Sequence, residues 1–217
     1  MNFKNQKSPI MKNISEFIVK RIKTSKIIFF TIIAIALILG IVFVKLFICS
    51  RIHKIEEKSS ERLSEAYTSF AQGNQKKGVA LIDEIIAQFP KTPASYQARL
   101  IKADILVELR DYDGALAILT YTASNGEPGS IRSLASARII YVYDSKKDYF
   151  NAIVASNEFI NKYPDHFLIR DIYLNLAEYY LTSGSKDDTV RVFNEILVNF
   201  PATPEAEKAQ NRLNQIK

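Results

Sequence analysis

The chain has 217 residues, of which 47% are hydrophobic, and a formal net charge of +6. Its single cysteine excludes an intramolecular disulfide and a cysteine-rich zinc site. Up to residue 48 there are eight basic residues and one acidic residue, and after it there are 21 basic and 22 acidic residues. The longer, nearly neutral part can bury a continuous core, and it lacks the basic stripe of a nucleic-acid-binding domain.

The first segment, residues 1–26, is a basic tail. Seven of its side chains are Lys or Arg, and Glu16 is its one acid. Basic residues that flank a membrane span are retained on the cytoplasmic side. We therefore predict a cytoplasmic N-terminus and a tail that lies beside anionic lipid rather than on RNA or DNA.

The second segment, residues 27–48, is predicted to cross a lipid bilayer as one helix. Ile27–Val44 carries no charge and spans roughly 27 Å at 1.5 Å per residue, and the span reaches residue 48 if Lys45 extends to the head groups. Eighteen apolar residues leave no polar face, which disfavours a buried helix of a soluble domain. Two alternatives stay open, namely lipid modification of Cys49 and cleavage as a signal peptide, although the residue before Cys49 is bulky and no small-x-small site follows.

Residues 49–58 are predicted to be a short charged connection, and residues 59–217 follow a 37-residue period. An aromatic residue and a proline close three of the four periods, and the turn-rich Gly126–Gly129 stands at the remaining point: Phe89-Pro90, Tyr163-Pro164, Phe200-Pro201. Small residues recur twelve positions before these points: Gly78, Ala115, Ala152, Thr189. Another twelve positions earlier, alanine occupies three of four places: Ala66, Ala103, Ile140, Ala177. The period predicts helical repeats at about 59–95, 96–132, 133–169 and 170–206, with a capping helix at 205–217.

Each repeat is predicted to contain two helices joined by a short turn. In the last repeat, one apolar stripe includes Ile172 and Leu176, Gly184 interrupts it, and a second stripe includes Val190 and Phe193. Proline ends the second helix because it lacks a backbone donor. The small residue of each second helix is expected to face the partner helix, where close approach excludes larger side chains.

This pattern resembles the tetratricopeptide repeat. The resemblance rests on the small residues of the first helices, Gly73 and Gly184 at the turns, Tyr112 and Tyr149 before the second helices, and the aromatic–proline endings. The period is about three residues longer than usual, and no Trp is present. The resemblance implies an all-α protein in which the membrane helix precedes a right-handed α-solenoid of about four helical hairpins and a capping helix.

The concave side of such a solenoid, lined by the first helix of each repeat, is the predicted partner-binding surface. The 37-residue spacing places Tyr67, Asp104, Tyr141 and Glu178 in one column, with four further polar residues on the same side: Glu108, Arg138, Asp144, Asn175. Tyrosines and carboxylates could hold a polypeptide by apolar contact and polar orientation. The competing interpretation is that the tyrosines complete the packing between repeats and that the acids are solvated.

The sequence offers no catalytic site, metal site or cofactor site. Neither histidine lies in an array with carboxylates, and Gly126–Gly129 lacks the Lys and Ser/Thr spacing of a phosphate-binding loop. We therefore expect a non-catalytic protein that needs no cofactor.

One anchor followed by repeats resembles a bacterial inner-membrane family associated with the Sec translocon and periplasmic chaperones, and the stretches Asp111–Leu116 and Ser130–Ile139 carry this resemblance. Asn199–Leu213 is instead similar to a group of outer-membrane assembly lipoproteins and a periplasmic coordinator of cell-wall constriction. The resemblance implies a scaffold with extracytoplasmic repeats at the inner membrane, with a translocon, chaperone or envelope-assembly partner. The alternatives are a self-associating structural envelope protein and a coordinator of outer-membrane assembly or cell division.

Overall fold

A computed structural model describes residues 9–216, including the side chains of 13–14, 16–17, 20–21, 29–31 and 37–216. Contacts divide the chain into two compact units, Met1–Lys54 and Ile55–Lys217. The described residues form nine helices and no strand: α1 (Pro9–Ala71), α2 (Gln75–Gln88), α3 (Pro93–Glu108), α4 (Tyr112–Asn125), α5 (Gly129–Ser145), α6 (Tyr149–Lys162), α7 (Ile169–Thr182), α8 (Lys186–Asn199) and α9 (Pro204–Ile216).

The first unit consists of the earlier part of α1. The predicted tail (1–26) and the predicted span (27–48) both include residues whose side chains lie outside the described part of the chain. Within the described part, no helix is both long enough and apolar enough to cross a membrane. Residues 49–58, predicted to be a charged connection, lie within α1.

The second unit is a solenoid of four helical pairs and a final helix. The end of α1 pairs with α2, and the later pairs are α3 with α4, α5 with α6 and α7 with α8. In addition, α3 contacts α5 and α7 contacts α9, so the first helices of the second and third repeats meet directly and the final helix contacts that of the fourth. The all-helical repeat fold predicted from the 37-residue period is thus confirmed.

The turn inside each pair has the same backbone conformation in all four repeats. Gly73, Arg110, Lys147 and Gly184 have φ values of 76°, 62°, 59° and 80°. Each is followed by a residue whose N–H donates to the carbonyl five positions earlier, which satisfies a free carbonyl at the end of the first helix. Glycine predicted this turn in two repeats, whereas Arg110 and Lys147 adopt the left-handed conformation without it.

The residue after each left-handed position is the N-cap of the second helix. Asn74, Asp111 and Asp148 accept a hydrogen bond from the backbone N–H three residues later, at 3.2, 3.0 and 3.2 Å. Such a side chain satisfies one of the free donors at a helix N-terminus. Ser185 stands at the same point of the last repeat without a side-chain cap bond.

The small-residue columns lie where the helices of a pair touch. Ala115, Ala152 and Thr189 are fully buried, and a Cβ added to Gly78 would overlap the ring of Phe70 on α1. The aromatic residue of each aromatic–proline pair is the first residue past its helix, as predicted: Phe89, Tyr163, Phe200. In the second repeat α4 ends at Asn125, and a short turn leads to α5 at Gly129.

Candidate functional site

The predicted column of Tyr67, Asp104, Tyr141 and Glu178 lies on the first helices of the four repeats. We call the surface formed by these residues, with Glu108, Arg138, Asp144, Asn175 and Arg212, the first-helix face. Tyr67 and Tyr141 are 52% and 59% exposed. Their rings are therefore available to a partner rather than used to pack successive repeats. No side-chain hydrogen bond among the described residues joins Tyr67 to the other predicted site residues.

Two ion pairs cross this face, one between the second and third repeats and one between the fourth repeat and α9. Arg138 donates from Nε to both carboxylate oxygens of Asp104, at 3.0 and 3.2 Å. Arg212 donates from Nε to Oε1 of Glu178 at 2.7 Å. Because all four side chains are partly exposed, each pair is worth about 1 kcal/mol or less, and its main effect is to neutralise the acid.

Arg138 thus contacts the predicted column, and so does Arg212, which the sequence did not single out. The signal was present, since Asp104 precedes Arg138 by the same 34 residues as Glu178 precedes Arg212. The prediction of α9 as a capping helix does not extend the column to this helix, although Arg212 continues it in the structure.

The remaining predicted residues differ in their surroundings. Glu108 and Asn175 are exposed, whereas Asp144 is half-buried. No ion pair among the described residues involves Glu108 or Asp144. Burial raises the pKa of the Asp144 carboxyl above its ordinary value, because removal from water disfavours the charged form.

Asp144 lies beside tyrosines of the third and fourth repeats. The rings of Tyr149 and Tyr179 are stacked with centroids 6.0 Å apart. Burial raises the pKa of the Tyr179 hydroxyl, and the nearby negative charge of Asp144 raises that pKa further. The structure thus assigns Asp144 to the junction between these repeats, while Tyr141, three residues earlier, stays exposed.

An open groove of about 670 Å³, which the sequence did not predict, lies between α4 and α6 and is also lined by α5. Ser136 lines it, and the equivalent positions of the neighbouring repeats are Arg99 and Tyr173. Arg99 is buried, with Nη1 2.7 Å from Ser95 Oγ, and Tyr173 packs against Phe200. The small Ser136 side chain leaves this position of the third repeat unfilled.

The chemistry of these surfaces suits binding. In the part of the chain that the structure describes, no three His, Cys, Asp or Glu side chains are grouped as metal ligands. Cys49 is exposed on α1. The first-helix face combines exposed rings, neutralised ion pairs and two carboxylates without basic partners, which are the elements of a protein-binding surface.

Solved structures with the same fold are helical repeat proteins. A tetratricopeptide repeat protein from Parabacteroides merdae matches 74% of this chain and 60% of its own, with 14% identity and a TM-score of 0.60. Nearly identical repeats of a putative kinesin light chain from Podosopora anserina match 74% and 86%, with 14% identity and a TM-score of 0.57. MamA of AMB-1 matches 67% and 75%, with 17% identity and a TM-score of 0.51. At these identities the likeness establishes the fold alone.

The family comparison adds sequence evidence to this likeness. No curated protein matches the sequence. The family model described as a tetratricopeptide repeat-like domain matches residues 29–163, which is more than half of the chain. Together with the four helical pairs, this match establishes that the chain belongs to the tetratricopeptide repeat-like domain family.

Proposed function

We propose that this protein is a membrane-anchored, non-catalytic scaffold whose first-helix face holds a protein partner. Tetratricopeptide-like repeats typically mediate protein–protein interaction, and this role follows from the family. The observation that carries the assignment of the face is the exposure of Tyr67 and Tyr141 at equivalent positions of two repeats. Aromatic side chains left exposed on a rigid helical surface supply contact area with little loss of side-chain entropy.

The anchor belongs to the same proposal. The uncharged stretch Ile27–Val44 supports insertion into a bilayer, and residues 27–48 form the span. The described side chains from Leu37 to Ile48 are exposed, and most of them are apolar. Such a surface is stable against lipid tails and unstable in water.

We place the span in the bacterial cytoplasmic membrane, with the basic tail in the cytoplasm and the repeats on the extracytoplasmic side. In that position the partner is a component of protein translocation, chaperone recruitment or envelope assembly.

Protease protection tests the orientation. Protease added to spheroplasts is expected to digest the repeats, and inverted vesicles are expected to protect them. The reverse pattern would contradict the proposal and indicate a cytosolic docking receptor. A shortened soluble product would indicate cleavage, and acyl transfer to Cys49 would indicate a lipid anchor.

In-cell photo-crosslinking tests the binding surface. A photoreactive residue at Tyr67, Asp104, Tyr141 or Glu178 is expected to yield adducts with one other protein, whereas the same residue at the exposed Asp187 on α8 serves as the matched control. Adducts that contain this chain alone would support self-association instead. Equal yields from the control and the four positions would assign the partner to another surface.

A further inference from the structure

Asp144 differs from the other carboxylates of the first-helix face in its surroundings. Asp104 and Glu178 are each bound by an arginine of the next repeat unit, and Glu108 is exposed to water. Asp144 is half-buried, and no ion pair or side-chain hydrogen bond among the described residues involves it. A partly desolvated carboxylate of this kind gains from a cation supplied by another molecule.

The position of Asp144 in the repeat is otherwise apolar. Phe70, Val107 and Leu181 occupy the equivalent places of the other repeats, and each is half-buried like Asp144. An apolar residue would therefore fit the packing here, so the fold does not require a carboxylate.

Aromatic rings complete the surroundings of this carboxylate. Tyr141 is exposed one helical turn before Asp144, and the ring of Tyr179, which stacks on that of Tyr149, lies near enough to feel the charge of Asp144. A carboxylate next to the exposed ring of Tyr141 suits a lysine or arginine side chain, because the ring face and the carboxylate both attract a cation.

The charge balance of the face points to the same chemistry. Both arginines, Arg138 and Arg212, are already paired with acids of this chain. Among the described residues of this face, the charges without an ion-pair partner are those of Glu108 and Asp144, and both are negative.

We propose that the partner contacts the first-helix face through a basic polypeptide segment, and that Asp144 binds a lysine or arginine side chain of that segment beside Tyr141. This inference rests on the proposed binding function of the face and adds the chemical class of the partner.

The test uses the purified full chain in detergent micelles and a random peptide library displayed on phage. Peptides retained by the wild-type protein and lost with Tyr141→Ser are expected to be enriched in Lys and Arg. One such peptide, labelled with fluorescein, is then titrated by fluorescence anisotropy. Asp144→Asn is expected to weaken its binding about tenfold or more, since a hydrogen bond between charged groups is lost. Asp187→Asn, a charge-matched control on α8, is expected to leave the affinity unchanged.

Protein stability separates this role from a structural one. Because Asp144 is half-buried without a cation, Asp144→Asn is expected to unfold at a slightly higher temperature at neutral pH while binding the peptide less well. A variant that lost both stability and binding would assign Asp144 a packing role and overturn the inference.

The outcomes distinguish this inference from the function on which it rests. Enriched peptides that depend on Tyr141 but contain no excess of basic residues, or that bind Asp144→Asn as well as wild type, would overturn the basic partner and leave the binding face intact. A selection that yields no Tyr141-dependent peptide would count against the binding face itself and against its proposed ligand class.

Discussion

At the scale of single residues, this chain has two unfavourable features, one in backbone conformation and one in the polarity of a repeat position. Arg110 and Lys147 adopt the left-handed backbone conformation in turns where the first and last repeats have glycine. Asp144 occupies a position that is apolar in the other three repeats. Each departure has a cost in folding free energy that a single substitution can measure.

Replacement of Arg110 by glycine is expected to stabilise the repeats by about 0.5–1 kcal/mol. A left-handed conformation costs a residue with a Cβ roughly 1–2 kcal/mol, and the greater freedom of glycine in the unfolded chain offsets part of the gain. Leu109→Gly is the matched control, because its neighbouring position has a right-handed φ of −80° and glycine should destabilise it. Urea denaturation measures both changes, and a loss of stability in Arg110→Gly would contradict the argument.

The stability gained by Asp144→Asn is expected to depend on pH. The pKa of Asp144 is raised in the folded protein, so relative to the unfolded chain the folded form favours the protonated acid. Its contribution to stability is therefore present below the ordinary aspartate pKa and is lost as the pH rises through the folded-state pKa. At pH 7 the variant should be more stable by about 0.5 kcal/mol, a value discounted for partial exposure. At pH 3 the difference should vanish; thermal unfolding at the two pH values measures it.

At the scale of helices, each hydrophobic cluster joins a pair to the first helix of the next repeat. The third cluster along the chain includes Ile140 on α5, Phe159 on α6 and Ile172 on α7. Ala152 is fully buried within it, on α6. The small residue thus fixes the distance between helices, and the aromatic residues fill the space around it.

Ala152→Leu is expected to destabilise the protein by about 1–3 kcal/mol, because a larger side chain forces the two helices of the pair apart. Phe150→Leu is the control on the same helix, since Phe150 is 75% exposed. Chemical denaturation of the full chain compares the variants. Equal stability of Ala152→Leu and wild type would mean that the column of small residues does not set the helix spacing.

At the scale of the whole repeat unit, the clusters form a series in which each one shares a helix with the next. We therefore expect the repeats to unfold as one cooperative unit. The final helix closes this series, because Ala206, Ala209 and Leu213 of α9 are buried against residues of α7 and α8.

Truncation after Ala202 is expected to reduce the free energy of unfolding by about 2–4 kcal/mol, since it exposes apolar side chains such as Leu176 and Phe193 that α9 covers. Glu207→Ala changes an exposed position of the same helix and serves as the control. Circular dichroism during urea titration measures the loss. A truncated chain as stable as wild type would show that α9 does not cap the unit.

The sequence by itself determined the helical pairs and the small residues at which the two helices of a pair touch. These features depend on residues near each other in the chain: a turn residue beside a helix cap, a proline after an aromatic residue, an alanine at a fixed distance from both. Such local preferences act before tertiary contacts form. Because the pattern occurs four times at a fixed period, the helical pairs can be recognised in the sequence.

The tertiary structure alone decided the state of the candidate site. The pairing of Arg212 with Glu178, the half-burial of Asp144 against Tyr179 and the groove left open at Ser136 all involve side chains from successive repeats. Their outcome depends on the angle and distance at which one repeat stacks on the next. Those quantities arise from the packing of whole helices, so no single residue type in the sequence specifies them.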